Sequence, residues 1–221
     1  ITVVGETDAE GKNLVKSRGK LYITADGATV QNINVNNGSA NAGYINAKDV
    51  LVEGCSVVGG NGFRSCYTKG TVTFKDSTIT GASYGIHFDG KEGGNIVIDK
   101  CVITGWTSFA STIKKVTMKD TTFEEGNYNY VRFYQEEVVI NGCTFNEKMS
   151  VDISNSVSAT VTVTNSTLVN GNVEDLFDGA DVVNSTITVD GVELTRAAKI
   201  GNTYYKTLAE AIAAVQAGDV V

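Results

Sequence analysis

The chain has one histidine, His87, set between Ile86 and Phe88 in the stretch YGIHFDG. An imidazole titrates near neutral pH and can act as a general base. The apolar–His–apolar alternation turns the ring to the outer side of a strand. A lone histidine there is ordinarily a solvated side chain. A second candidate is NYNYVRFY, residues 127–134. With Val131 and Phe133 turned inward, Tyr128, Tyr130, Arg132 and Tyr134 share the outer side of one strand. Flat aromatic faces beside a guanidinium suit stacking on sugars and other ring-shaped ligands. Tyrosine also favours strands on propensity alone, and that plainer reading stands beside the first.

The remaining chemistry-bearing residues are poorly arranged for catalysis. Counted along the repeat described below, the outward strand positions run Cys66, His87, Ala110, Arg132, Asp152. His87 and Arg132 fall two coils apart, with Asp152 one further. No carboxylate pair is placed for two-carboxylate glycosidase chemistry. EDLFDGAD, residues 174–181, is acidic but lacks the spacing of a calcium loop, so a solvated turn is expected. NST at Asn165 and Asn184 fits a glycosylation sequon, but both sites coincide with a bend of the repeat. Cys-x-x-Cys and Cys/His metal spacings are absent, and four cysteines alone imply no bridges. The expectation is therefore no catalytic residue, no metal and no cofactor.

Composition narrows the partners. The 221 residues carry a net charge of −7, against the basic footprint of a nucleic-acid binder. No apolar run approaches the roughly 20 residues of a membrane span. There are 24 glycines and no proline. Proline removes a ladder donor, so its absence suits a chain committed to sheet. The sequence opens abruptly on strand-like ITVVGE and reads as a piece of something longer.

The elements that must position these residues are written in a repeat. VTFKDSTITG, IVIDKCVITG, VTMKDTTFEEG and VTVTNSTLVNG restate one phrase. Aligned on the residue after the turn-like Asn, Asp, Gly or Lys, the anchors are Ile33, Cys55, Ser77, Cys101, Thr121, Cys143, Ser166 and Ser185. Successive gaps are 22, 22, 24, 20, 22, 23 and 19. Apolar residues recur two after and three before each anchor. An upstream strand in each unit turns a further pair inward, including Ser65/Tyr67, Ile86/Phe88, Phe109/Ser111 and Val131/Phe133. The unit through EDLFDGADV fits poorly. Alternation has period two, and no unit holds a helical stripe. A unit of about 22 residues without a helix excludes leucine-rich and helical solenoids. The fold expected is all-β: a right-handed parallel β-helix, one coil per unit.

Three cysteines, Cys55, Cys101 and Cys143, share one inward column in alternate coils, roughly 10 Å apart at two strand spacings. A disulfide needs Cα atoms within roughly 7 Å, so all four cysteines are expected as free thiols. An outward column reads Asn34, Ser56, Thr78, Val102, Thr122, Thr144, Thr167, Thr186. Its companion two residues on is interrupted at Glu124, Asn146 and Val169, so no flat two-column threonine lattice is expected.

The V-x-[VIFM]-x-[DNGK]-[SCT]-x-[IVFL] phrase and segments such as YGIHFDG resemble the right-handed β-helices of the pectate-lyase-like superfamily, over roughly residues 21–190. Members that cleave acidic polysaccharides carry clustered carboxylates, with calcium or with a His and basic residues, on an exposed sheet flanked by long loops. No such site transfers to this chain residue by residue.

After Gly191 the rhythm stops. Gly201-Asn202 between strand-like flanks predicts a two-residue hairpin. Thr207 with Glu210 is a capping box. Leu208, Ala211, Ile212 and Val215 make one apolar stripe, and Gly218 is a natural stop. The organisation expected is a β-helix over 1–191, then a hairpin and amphipathic capping helix over 192–221. GNTYYKTLAEAIAAVQAGDVV is also similar to segments of large bacterial surface proteins in which a helix plugs the mouth of a following β-helix. The helix is expected to fold back over its own last coil, or to dock on the first coil of a neighbour, giving head-to-tail self-association.

These readings point to a non-catalytic module of a secreted or cell-surface bacterial protein. It would act as a stalk and as a scaffold for adhesion or glycan binding. Its partner would be an extracellular glycan or a host or neighbouring surface protein, held through Tyr128, Tyr130, Arg132, Tyr134 and His87. The alternative is a fragment of a polysaccharide lyase or hydrolase acting on acidic glycans. An ice-binding solenoid ranks third.

Overall fold

In each repeat the residue before the anchor turns the coil. Asn32, Asp76, Lys100, Asp120 and Asn165 have φ between 46° and 58°, and Gly54 and Gly142 have 61° and 67°. Glycine, and next to it Asn and Asp, enter this left-handed region at least cost. That is why the sequence writes Asn, Asp or Gly there, with Lys100 as the exception. The computed structural model describes residues 1–90, 93–154, 157–177, 185–195, 198–201, 203–205 and 207–220.

The bend separates two faces. On the first, Thr29–Gln31, Val50–Glu53, Thr71–Lys75, Asn95–Asp99, Lys115–Lys119, Glu137–Asn141 and Thr160–Thr164 stack in parallel register. Val50, Val72, Ile96, Val116, Val138 and Val161 lie opposite one another in turn, reproducing the spacing read from the anchors. The second face stacks Ile33–Asn36, Ser56–Gly59, the start of Thr78–Phe88, the start of Val102–Phe109, Thr122–Glu124, Thr144–Phe145 and Thr167–Leu168. A third face stacks Leu21–Ile23, Asn41–Ile45, Asn61–Cys66, the ends of the two long strands, Tyr130–Phe133 and Ser150–Ile153. This is a parallel β-helix.

Identical positions meet in the core, so large side chains stack along the axis. On the third face Phe88, Phe109 and Phe133 follow one another at 6.4 and 6.1 Å, while Phe74 of the first face reaches across the core to Phe63 and Phe88 at 5.0 and 6.4 Å. All four cysteines are buried free thiols. Cys55, Cys101 and Cys143 alternate with Ser77, Thr121 and Ser166, whose hydroxyls accept the cysteine N–H at 3.1, 3.3 and 3.1 Å. Burial pushes the thiols of Cys101 and Cys143 up to about 12 and about 11.

Three parts of the alignment are corrected. The inward pair around Cys66 is Phe63 and Cys66, both fully buried, in place of Ser65 and Tyr67. Ser65 takes a left-handed φ of 54° and puts an extra residue into the strand. Two coils on, the pair is Thr107 and Phe109, in place of Phe109 and Ser111, because Thr107 lies opposite Val131. At the end, Ile187 lies opposite Val161 on the first face and does not stack on Leu168. The anchor at Ser185 therefore belongs to a longer coil. The extra length includes a 3₁₀ helix, Val173–Phe177, which buries Leu176 and Phe177 completely. Part of the acidic stretch expected as a solvated turn thus packs at the last strands of the second and third faces. Asp178–Asp181 of that stretch, Val182 and the sequon at Asn184 lie outside the described residues.

In the tail, Ala198–Ile200 pairs antiparallel with Thr203–Tyr205; Asn202 of the predicted turn lies outside the described residues. Helix Leu208–Ala214 starts with the Thr207/Glu210 capping box. It packs on this hairpin and buries only Ala211, leaving Leu208, Ile212 and Val215 exposed at 54%, 62% and 42%. The stripe expected to be sequestered in a fold-back stays largely in water. Among the described residues no helix is long and apolar enough to cross a membrane.

Candidate functional site

The third face carries the side chains capable of ligand chemistry, and glycines put them there. Thr78–Phe88 and Val102–Phe109 run from the second face into the third through a tight corner. A Cβ on Gly81 would sit 1.7 Å from the Tyr84 carbonyl oxygen. Gly105 has a φ of 102°, open in practice only to glycine. Directly after this corner Tyr84 and Trp106 lie in register.

Their rings stack at 4.5 Å with 21° between planes, and Trp106 meets Tyr130 of the next coil at 4.7 Å and 41°. These separations match the strand spacing of about 4.8 Å, so the coil itself dictates the ladder. The Arg64 guanidinium covers the Tyr84 ring at 4.9 Å, and His87 packs beside it at 4.7 Å. The Trp106 Nε1–H is buried and has no acceptor among the described residues. Further toward the N-terminal end, Tyr22 and Tyr44 meet at 5.6 Å and Tyr44 and Tyr67 at 6.3 Å, both strongly tilted. The Lys20 ammonium lies 4.5 and 5.1 Å from the first two rings.

The four residues expected on one strand divide. Arg132 lies over Tyr134 at 5.1 Å. Tyr130 joins the ladder across coils. Tyr128 precedes the strand, which begins at Tyr130, and is exposed. The grouping runs up the axis rather than along the strand. Cys66 and Ala110 leave the outward row: Cys66 is buried inward, and the row reads His87, Ser108, Arg132, Asp152.

His87 is half-buried. Its Nδ1 accepts the Ser65 N–H at 3.3 Å. Burial lowers its pKa from the usual value; Asp89 opposes that and Arg64 adds to it. The ring is therefore a neutral acceptor. Arg132 Nε stands 2.9 Å from Asp152 Oδ2, an ion pair whose N–H is not aimed squarely at the oxygen. Tyr67 donates to Asp89 Oδ2 at 3.3 Å. Burial, then the neighbouring Tyr84, raises the Tyr130 hydroxyl pKa. Among the described residues no three His, Cys, Asp or Glu stand together as metal ligands.

A family model described as right handed beta helix region matches residues 19–168. The chain belongs to the right-handed β-helix family. No curated protein and no solved structure matches it. The matched span of this β-helix contains both aromatic clusters and stops before the tail. On its second face, Asn34, Ser56, Thr78, Val102, Thr122, Thr144 and Thr167 line up in register. Thr186 lies instead on the first face. The third face of this β-helix presents stacked aromatic rings, cations over ring faces and an imidazole held neutral. Sequence reading missed Lys20, Tyr22, Tyr44, Arg64, Tyr84 and Trp106. Their signal is aromatic recurrence at coil spacing, hidden by the bulges at Ser65 and Gly85.

Proposed function

We propose that this β-helix is a non-catalytic module of a secreted or surface-attached bacterial protein, a stiff stalk whose third face binds a glycan. The observation that carries the reading is the Tyr84–Trp106–Tyr130 ladder capped by Arg64. Aromatic rings pack against the apolar faces of sugars, while a guanidinium and tyrosine hydroxyls hydrogen-bond the rims. Against catalysis, Asp152, the carboxylate of the outward row, is paired with Arg132. The test is a glycan array probed with the wild-type protein and Trp106→Ala, beside an assay for unsaturated uronide release. Retention of a glycan lost in the variant, with no release, supports the reading. Release abolished by His87→Ala or Arg132→Ala replaces it with a lyase.

A second copy is the other partner proposed. Leu208, Ile212 and Val215 are exposed at one end. An apolar recess of about 240 Å³, lined in part by Ile1, Val3, Leu21 and Ile33, opens at the other. A contact between unlike surfaces of this kind can propagate head to tail.

A further inference from the structure

On the first face the outward side chains are ordered along the axis. Down the middle run Leu51, Thr73, Val97, Thr117 and Val139, in register and half-buried, with no charge among them. Beside this stripe, two residues further along each strand, runs a row of alternating sign: Glu53, Lys75, Asp99, Lys119, again in register. Glu53 and Lys75 pair at 2.5 Å within the chain. Asp99 and Lys119 are neighbours in the ladder, yet they form no ion pair among the described residues. Pairing within the chain therefore accounts for only part of the row, and the rest has charge to offer. An uncharged strip with charges at its rim is also the make-up of a protein interface.

We infer that the first face is where a second copy docks side by side, with the two solenoids antiparallel. The row decides both orientation and register. A two-fold axis along the strands, between Thr71–Lys75 and Asn95–Asp99, turns the row onto itself in reverse. Lys75 then meets Asp99 of the other copy, Glu53 meets Lys119, and the uncharged stripes lie on each other. A slip of one coil sets Lys75 against Lys75 and Glu53 against Asp99. Parallel packing sets Lys115 against Lys119, which share one strand. Like charges opposed across an interface cost affinity and disfavour both arrangements. The contact is isologous and closes at two copies, unlike the head-to-tail contact between the ends. From Thr29–Gln31 to Glu137–Asn141 the face spans roughly 29 Å of axis and roughly 16 Å of strand. That is little more than half the roughly 800 Å² per partner of a standard interface. The dimer is therefore weak, and salt weakens it further.

The experiment is sedimentation velocity from low micromolar to near-millimolar protein, at low salt and at about 1 M, where screening reaches about 3 Å. Every sample carries Ile212→Asp, which puts a charge into the exposed stripe of the end helix and so removes head-to-tail growth. The expected result is a reversible dimer at low salt that grows no further and associates at least about 10-fold more weakly at high salt. Lys75→Glu sets like charge against Asp99 and should weaken the dimer by a similar factor. Lys119→Glu does the same against Glu53. Lys119 is exposed and in no ion pair among the described residues, so this variant keeps the fold even where Lys75→Glu disturbs it. Lys75→Glu combined with Asp99→Lys restores opposite charges across the interface while taking from Glu53 its partner within the chain. A row that serves the fold alone gains nothing from that exchange, so recovery of the dimer is the specific expectation. A monomer throughout, a dimer indifferent to Lys75→Glu and Lys119→Glu, or a folded double variant that stays monomeric overturns the lateral contact and leaves the glycan reading untouched.

Discussion

His87 contributes a hydrogen-bond acceptor to the third face, and that role fixes how it responds to acid. The imidazole must be neutral to accept the Ser65 N–H, and burial lowers its pKa below the unfolded value near 6.5. The unfolded state therefore binds the proton more readily than the fold. Stability is full above about pH 6.5 and falls as pH drops through the lower folded pKa. An NMR titration is expected to place the His87 midpoint below 6.5, and unfolding curves should show destabilisation toward pH 5 that His87→Gln reduces. A midpoint at or above 6.5 would contradict the packing. Lys100 is the other informative single residue. It holds a φ of 51° where its equivalents are Asn, Asp or Gly. A side chain with Cβ costs about 1–2 kcal/mol there, partly offset by the entropy glycine loses on folding. Lys100→Gly is expected to raise stability by about 0.5–1 kcal/mol in a denaturant melt. The odd Lys was open to reading from the sequence. The partners of His87 were not, because they depend on one inserted residue at Ser65.

At the scale of the element, the coil was legible because its constraints are local and repeated. A left-handed turn admits few residue types, and period-two alternation marks each strand. The anchors accordingly reproduced the register of the first face through Val161. The failures share one cause: inserted residues that move a strand along its register. Ser65 shifts Cys66 inward, Thr107 displaces Ser111, and the 3₁₀ helix Val173–Phe177 carries Ile187 to a different face. A one-residue slip in a strand exchanges its faces, so Cys66 was placed outside, and the bulge at Gly85 hid Tyr84; at Thr107 the shift is two residues, which keeps the faces and puts Ser108 where Ala110 was expected. The stacked core makes a direct prediction. Phe109 packs between Phe88 and Phe133 with no exposure. Phe109→Ala should cost about 3–5 kcal/mol, measured by chemical denaturation. A cost under about 1 kcal/mol would mean the phenylalanine ladder does not hold the coils together.

For the whole molecule, the ends and the third face matter most. Leu176 and Phe177 pack at the last coil from within, while the helix Leu208–Ala214 turns its apolar side outward. Ile212→Asp is therefore expected to leave the melting of the β-helix nearly unchanged. It should also abolish any concentration-dependent rise in sedimentation coefficient past that of a dimer seen for the wild type. Loss of coil stability in that variant would show that the helix covers the solenoid after all.

The central claim is that ligand meets the protein on the aromatic ladder of the third face. Trp106 is the only tryptophan in the chain, so its fluorescence reports that site without a label. The decisive measurement is a fluorescence titration with a glycan retained on the array, run beside calorimetry on the same samples. A shift or quench of Trp106 emission that saturates with the calorimetric midpoint is the predicted result. Heat of binding with Trp106 emission unchanged would place the ligand elsewhere and contradict the account.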